Sequence, residues 1–381
     1  MKFKFFLILL LILLSVSLVN SAPYIITKIC DEAKILAFTT AADSDPEALA
    51  LRPDGTFVFF EYEVTAPTGA SSLLVFNPAT SSVSLLAGNA ALLSAAQVYE
   101  PTLTSVYGPQ GLVSDNSGNI YAVIVFMPSY KEYILKITPA GTVSVVIPSA
   151  NGAEGASDLA INKATNTLYT YIDDYSNPTP PSPLGIHAFS TSLVGGILSA
   201  STLVISQLDL ANVCSPALSP ATALNIYGLA YRPLTNDLIA VDSATVTDSD
   251  DFLKITLSPT PSASLFIDSS TVESVTGEIY RVDIAILNDG SLLCTSDSSS
   301  GLEGIFKIDS TGTTVTLEAN ETTILPYVGG TDWETYYSGR AIANDGVNLY
   351  VTNTGAGGEG IIKFTYEPPT SVPKGVWEIY Q

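Results

Sequence analysis

The sequence predicts an all-β fold: a single six-bladed β-propeller built from four-stranded antiparallel blades. Three observations carry that expectation. One phrase, a short apolar strand followed by a polar turn and a second strand, is written six times along the 381 residues. Each copy is followed by a third strand, and most by a fourth. The first strand of every copy is small and apolar, as the narrow axis of a ring requires.

The six copies are ALALRPDGTFVFFE (48–61), GLVSDNSGNIYAVI (111–124), DLAINKATNTLYTY (158–171), GLAYRPLTNDLIAV (228–241), DIAILNDGSLLCTS (283–296) and RAIANDGVNLYVTN (340–353). Their turns are rich in Asp, Asn, Gly and Pro, which favour tight reversals. The third strands are SLLVFNPAT (72–80), YILKITPAG (133–141), GIHAFSTS (185–192), FLKITLSPT (252–260), GIFKIDSTG (304–312) and GIIKFTYEP (360–368). Fourth strands follow as SVSLLAG, TVSVVIP, STLVISQ, SASLFID and TVTLEAN. A sheet of this kind is apolar on both faces, and radial packing around an axis buries both. A β-sandwich array is the structural rival, but it would not need every first strand to be small. Four of the five spacings between the anchors Leu49, Leu112, Leu159, Leu229, Ile284 and Ala341 exceed a common blade of roughly 40–50 residues, so insertions are expected, the largest around DDYSNPTPPSPLG (173–185).

The last copy lacks an obvious fourth strand. Either AKILAFTT (33–40) or VWEIYQ (376–381) can supply it. The N-terminal segment is preferred, because it closes the ring by pairing the two ends of the chain.

Residues 1–21 read as a secretory signal peptide: Lys2 and Lys4, an apolar run from Phe5 to about Val19, then small residues with cleavage before Ala22. An uncleaved signal anchor is the rival reading. The run falls short of the roughly 20 residues that span a bilayer. Residues 22–381 then form one propeller domain, expected to be secreted to the extracellular space with no membrane span in the mature chain. The formal net charge of −22 opposes binding to nucleic acid or to anionic membranes. The acidic runs AADSDPE (41–47) and TDSDD (247–251) either hold cations or are solvated loops. Among Cys30, Cys214 and Cys294, one disulfide and one spare thiol are conceivable in an oxidising compartment. Cys294, alternating with apolar neighbours, reads as a buried thiol. Asn320 in NET fits the N-glycosylation sequon.

GLVSDNSGNIYAV and DIAILNDGSLLCTS resemble the recurring phrase of six-bladed propellers of the NHL-repeat and gluconolactonase (senescence marker protein)-like group. That resemblance implies a divalent cation, often calcium, at the axial mouth, held by a Glu from the first blade and by Asn and Asp from later ones. Glu47, in DPEALALRPDGTFVFFE, falls at the position of the ligand Glu. Where the group has its Asn this chain has Tyr227, and Asp283 stands one residue late for the Asp. The mouth ends of the six first strands carry Glu47, Gln110, Asp158, Tyr227, Asp283 and Arg340. Three converging carboxylates repel unless a cation or Arg340 neutralises them. Glu47, Asp158 and Asp283 are therefore the candidate metal ligands for Ca²⁺; the other reading pairs Arg340 with Asp283 or Asp158 around a hydrated plug.

Other chemistry is thin. The single histidine, His187, alternates with Ile186 and Phe189 on a third strand and reads as structural. No second histidine is present for a His-rich zinc site, and no G-x-S-x-G elbow or P-loop occurs. Tyr121, Tyr169 and Tyr350 repeat at one position of the second strand and are packing residues. Trp333, Tyr336 and Tyr337, on the approach to the sixth blade, are candidate partner-binding aromatics. The expected function is a non-catalytic binding module for protein or glycan partners at the propeller mouth. The alternative is a calcium-dependent gluconolactonase-like hydrolase using Glu47, Asp283 and Asp158.

Overall fold

The computed structural model describes residues 24–39, 43–62, 71–148, 156–173, 184–191, 193–194, 197–198, 201–218, 224–242, 250–279, 282–296, 303–331, 333, 342–355 and 357–366. After β1 (Tyr24–Asp31) and α1 (Glu32–Thr39), the first blade is β2 (Pro46–Leu51), β3 (Phe57–Glu61), β4 (Ser72–Asn77) and β5 (Ser82–Ala87), followed by α2 (Asn89–Gln97). The second is β6 (Ser105–Ser114), β7 (Ile120–Met127), β8 (Lys131–Ile137) and β9 (Val143–Ile147). The third is β10 (Ala160–Asn162), β11 (Thr167–Ile172) and β12 (Gly185–Ser190). It continues through a small hairpin, β13 (Leu193–Val194) and β14 (Ile197–Leu198), to β15 (Thr202–Ser206) and α3 (Gln207–Ala211). The fourth is β16 (Ile226–Arg232), β17 (Asp237–Asp242), β18 (Phe252–Thr256) and β19 (Ser262–Ile267), then α4 (Ser269–Thr276). The fifth is β20 (Asp283–Ile286), β21 (Leu292–Ser296), β22 (Gly304–Ile308) and β23 (Val315–Asn320), then α5 (Glu321–Val328). The sixth holds β24 (Ile342–Asn344), β25 (Asn348–Asn353) and β26 (Gly360–Tyr366).

The expected six four-stranded antiparallel blades are all present. The sixth is completed from the N-terminus: β1 pairs antiparallel with β26 from Tyr24↔Tyr366 to Asp31↔Gly360. The direction of closure matches the expectation, but the segment does not. Residues 33–40 were expected as the closing strand; Glu32–Thr39 is instead the helix α1, and the strand lies just before it.

The polar turn of the repeated phrase has a local cause. Its Asp or Asn accepts backbone N–H groups two to four residues on. Asp115 takes Ser117 N at 2.8 Å and Asn119 N at 2.9 Å, Asn162 takes Ala164 N at 3.0 Å, and Asp345 takes Val347 N at 3.0 Å. These Asx turns fix the reversal between first and second strands. The glycine that opens GIHAFS, GIFKID and GIIKFT has a different cause. A Cβ at Gly185, Gly304 or Gly360 would collide with the carbonyl of Ile205, Ala319 or Cys30 on the neighbouring outer strand.

No helix is expected from the repeat, yet among the described residues one follows the outer strand in five blades. Four of these five starts are written in cap residues, α2 following Gly88 without a side-chain cap. Ser206 accepts from Asp209 N, Asp268 from Thr271 N and Asn320 from Thr323 N. Asp31 accepts from Lys34 N at 3.0 Å. Asn320, noted above as a sequon residue, is thus also the N-cap of α5, in a reciprocal capping box with Thr323.

The molecule has six cores, one in each gap between neighbouring blades. Phe60, Val58 and Leu73 of blade 1 meet Ala122, Phe126 and Leu135 of blade 2. Phe57 and Phe59 of blade 1 meet Tyr350 and Ile361 of blade 6 on their other side. The helices seal these gaps at one end: Leu92 and Ala96 of α2, Leu210 of α3, Val272 of α4, Ile324 of α5 and Ile35 of α1 are each buried in a gap core.

Ring closure generates the first prediction. Ile26, on β1, is buried in the core between blades 5 and 6. Ile26→Ala should cost about 2–4 kcal/mol, and thermal denaturation followed by circular dichroism should show a single transition at lower temperature. An unchanged midpoint would mean that β1 is not part of the cooperative unit.

Candidate functional site

The first strands converge on an axial cavity of about 530 Å³. A ring of aliphatic side chains, Leu49, Leu112, Leu159, Leu229, Ile284 and Ile342, lines it with one residue from each blade. The sixth member is Ile342 rather than the expected Ala341, which lies outside the described residues.

At the mouth end, the carboxylates of alternate blades serve the neighbouring blade. Asp158 (blade 3) accepts from Leu159 N and, at 2.6 Å, from Leu229 N of blade 4. Asp283 (blade 5) accepts from Ile284 N at 2.7 Å and from Ile342 N of blade 6 at 3.1 Å. The innermost strand of a blade has no partner on its axial edge, so its N–H groups need acceptors. Both carboxylates supply them and tie blade to blade.

Glu47 stands at the corresponding place in blade 1, beside a bulge at Ala48, which adopts φ 40°. Its side chain is 3% exposed and its Oε2 lies against Gly108 of blade 2, where an added Cβ would sit 3.6 Å away. Burial pushes the Glu47 carboxyl well above the usual range, and the negative charges of Asp45 and Glu61 add to the effect. Glu61 is itself held by Ser44 Oγ at 3.1 Å and Asp45 N at 3.0 Å.

These three carboxylates do not form the expected metal set. Oxygens sharing a calcium at 2.3–2.6 Å lie within about 5 Å of one another. Among the described residues, the one group of three whose ligand atoms all fall within 4.8 Å is Glu32, Asp43 and Glu359, not Glu47, Asp158 and Asp283. Asp158 and Asp283 border the axial cavity, but each is held by a backbone N–H of the adjacent blade. Tyr227 occupies a bulge in β16 and is half-buried. Arg340, Tyr336 and Tyr337 lie outside the described residues.

Trp333 is described, and it is not a surface aromatic. It is 1% exposed and meets Phe364 edge to face, ring centroids 6.1 Å apart. The aromatics that do reach solvent beside the mouth were missed. Tyr107 and Tyr130 are 46% and 56% exposed and pack edge to face with centroids 5.4 Å apart. Tyr62 lies beside them: burial, then the proximity of Tyr107 and Glu47, raises its phenol. Tyr107 is a bulge residue of β6. One sequence signal was available, since Tyr107 and Tyr130 fall outside the second-strand position where tyrosines repeat for packing.

His187 is buried, with Nδ1 3.1 Å from Ser201 Oγ, as a structural histidine should be. All three cysteines are buried free thiols, so the conceivable disulfide is absent. Burial pushes the Cys30 thiol up to about 12 and the Cys294 thiol well above its usual range.

With this geometry in view, the chain can be set beside known proteins. No protein-family model matches it, and no curated protein does. Solved structures do. A protein of unknown function from Dyadobacter fermentans aligns at TM-score 0.50 and 12% identity, over 89% of this chain and 96% of that one. A protein of unknown function from Bacteroides thetaiotaomicron aligns at TM-score 0.49 and 12% identity, over 89% and 75%. The periplasmic gluconolactonase of Pseudomonas aeruginosa aligns at TM-score 0.48 and 10% identity, over 85% and 89%. At such identities the likeness concerns the fold alone.

Two predictions follow from the hub. Asp158→Ala or Asp283→Ala strands backbone donors of two blades and should cost about 2–4 kcal/mol, whereas Asn, which keeps an acceptor, should recover roughly half. Chemical denaturation would test this; equal losses for Ala and Asn would contradict it. Glu47 concerns pH. A carboxyl whose folded pKa is raised holds its proton in the folded state, so its favourable contribution is complete below the ordinary value of 4.5 and is lost as pH rises through the elevated folded value. The melting temperature should therefore fall as pH rises above 4.5, and Glu47→Gln should flatten that slope. A slope unchanged by the substitution would show that Glu47 is not its source.

Proposed function

We propose that this protein is a secreted, non-catalytic binding module whose mouth face engages a glycan. The observation that carries the reading is the exposed Tyr107–Tyr130 pair beside the mouth, on a scaffold whose hub carboxylates are occupied in holding blades together. Two phenol rings at an angle offer faces for stacking on sugar rings and hydroxyls for hydrogen bonds. The strong negative charge disfavours polyanionic partners, so neutral or basic glycans fit best. A protein loop is the other partner class that the same surface admits.

A second reading is supported by Glu47. A buried carboxyl with raised proton affinity, two residues before the cavity-lining Leu49, is the kind of group that delivers a proton in hydrolysis, and the resemblance of DPEALALRPDGTFVFFE to the gluconolactonase-like opening points the same way. Its weakness is the set of acidic partners, Asp158 and Asp283, which are engaged with backbone donors.

Binding to a glycan array by the mature chain, and by a Tyr107→Ala/Tyr130→Ala variant, separates these readings. The expected result is selective binding weakened at least tenfold, or about 1.4 kcal/mol, in the variant, with no turnover of a lactone panel in the presence of calcium. Lactone hydrolysis abolished by Glu47→Gln would establish the hydrolase instead. Binding indifferent to both tyrosines would remove the aromatic site.

A further inference from the structure

A second acidic cluster lies away from the axis, where the two ends of the chain meet. Glu32 opens α1 immediately after the closing strand β1. Asp43 belongs to the acidic run 41–47, on the way to blade 1. Glu359 directly precedes β26, the strand that β1 pairs with. One carboxylate oxygen from each lies within 4.8 Å of the other two. The three residues are far apart in sequence, and ring closure alone brings them together.

Proximity of acidic groups is common on a chain of this charge, but Glu359 adds an independent sign. It is 95% buried, being 5% exposed, and its Oε2 is a buried atom with no hydrogen-bond donor. Oε1 accepts from Gly357 N at 2.9 Å, and the Glu359 carbonyl accepts from Glu32 N at 3.1 Å. The backbone therefore fixes this carboxylate in place and leaves one oxygen unserved. A buried acceptor of this kind costs about 1–3 kcal/mol when left without a partner, more when charged. Burial raises the proton affinity of Glu32, and Glu359 and Asp43 raise it further. The neighbouring cation is Lys28, half-buried on β1 and more than a salt-bridge distance away; burial lowers its pKa, while Glu359, Asp31 and Glu32 oppose that shift. Lys34 is engaged with Asp31 at 2.7 Å.

We propose that Glu32, Asp43 and Glu359 hold a divalent cation of the calcium type, which clasps the N-terminal segment to the last blade. The donors are all carboxylate oxygens, with no thiol or imidazole to favour zinc or copper. Three carboxylates supply up to six oxygens, and exposed Asp43 leaves one side open to water, which suits the six to eight ligands of Ca²⁺ better than the strict octahedron of Mg²⁺. This set is distinct from the axial set of Glu47, Asp158 and Asp283 that the family resemblance implies. Its role is structural: the ion joins β1 to β26, strands that pair although nearly the whole ring lies between them in sequence.

The test uses the whole mature chain, stripped with chelator and titrated with CaCl₂ by calorimetry, with melting temperature read in parallel. One site is expected, with a midpoint that rises by several degrees at saturating calcium. Asp43→Asn, an exposed change with little folding burden, should weaken binding at least tenfold, and Glu359→Gln should abolish both heat and shift. Glu47→Gln should leave both unchanged, and Lys28→Met should tighten binding. Absence of heat and shift at millimolar calcium would overturn the proposal, leaving a proton shared between Glu32 and Glu359 as the explanation of the pair. Binding of undiminished affinity in Asp43→Asn, or binding lost in Glu47→Gln, would overturn it equally.

Discussion

The interaction on which the molecule depends is the packing of one blade face against the next. Every sheet here is apolar on both sides, so no blade can be stable alone, and none can leave a face in water. The six gap cores satisfy that demand only because the ring returns to its start. A linear stack of the same sheets would expose two faces, whereas the closed ring exposes none. The helices follow from the same demand. Where neighbouring blades splay apart toward the rim, α1, α2, α4 and α5 press an aliphatic residue into each opening: Ile35, Leu92, Val272 and Ile324. They are short and individually marginal in water, and their stability comes from the gap they seal.

Closing a ring creates its own difficulty at the centre. Six first strands present unpaired edges to the axis, and an aliphatic lining cannot satisfy their N–H groups. Asp158 and Asp283 resolve this by reaching to the next blade. The carboxylates therefore fall on alternate blades, with Glu47 completing the set in blade 1, while the intervening blades carry Gly111, Gly228 and Ala341 at the residue before the ring aliphatic. At Gly228 a small residue is needed because the next blade comes close. A Cβ at Gly228 would already lie 2.7 Å from the Val282 carbonyl. Acidity at the hub thus has a structural cause that needs no ligand.

What was legible in the sequence was whatever the repeat enforces. Leu49, Leu112, Leu159, Leu229 and Ile284 occupy the same place in every blade, and the turn Asp or Asn accepts the same N–H groups, so both recur visibly. What broke the repeat was harder to read. β1, YIITKICD, is joined to its blade through the fold rather than by a neighbouring turn, and it carries none of the phrase; AKILAFTT looked more strand-like but follows the cap Asp31 and coils. The helix starts at Ser206, Asp268 and Asn320 were readable as caps but were masked by the apolar strands before them. Trp333 was misjudged because its loop position hid a neighbour 31 residues later, Phe364. Glu47, Asp158 and Asp283 stand at the starts of alternate first strands, but spacing cannot tell which backbone group a carboxylate turns to.

The acidic character of the chain also takes on a different meaning in the folded molecule. Much of it is spent locally: Asp54, Asp289, Asp309 and Asp345 each hold turn N–H or hydroxyl groups that keep their carboxyls below the usual range despite partial burial. Glu32 and Glu47 are pushed the other way, because burial and like charges surround them. The first set stabilises the folded state above the ordinary carboxylate range and releases that stability as pH falls through the lowered values. The second set loses stability as pH rises through the raised values. The two trends overlap in mildly acidic solution. As pH rises through the raised values the molecule retains its turn interactions but gathers charge at Glu47 and at the closing seam, and a proton or a cation gains by binding there.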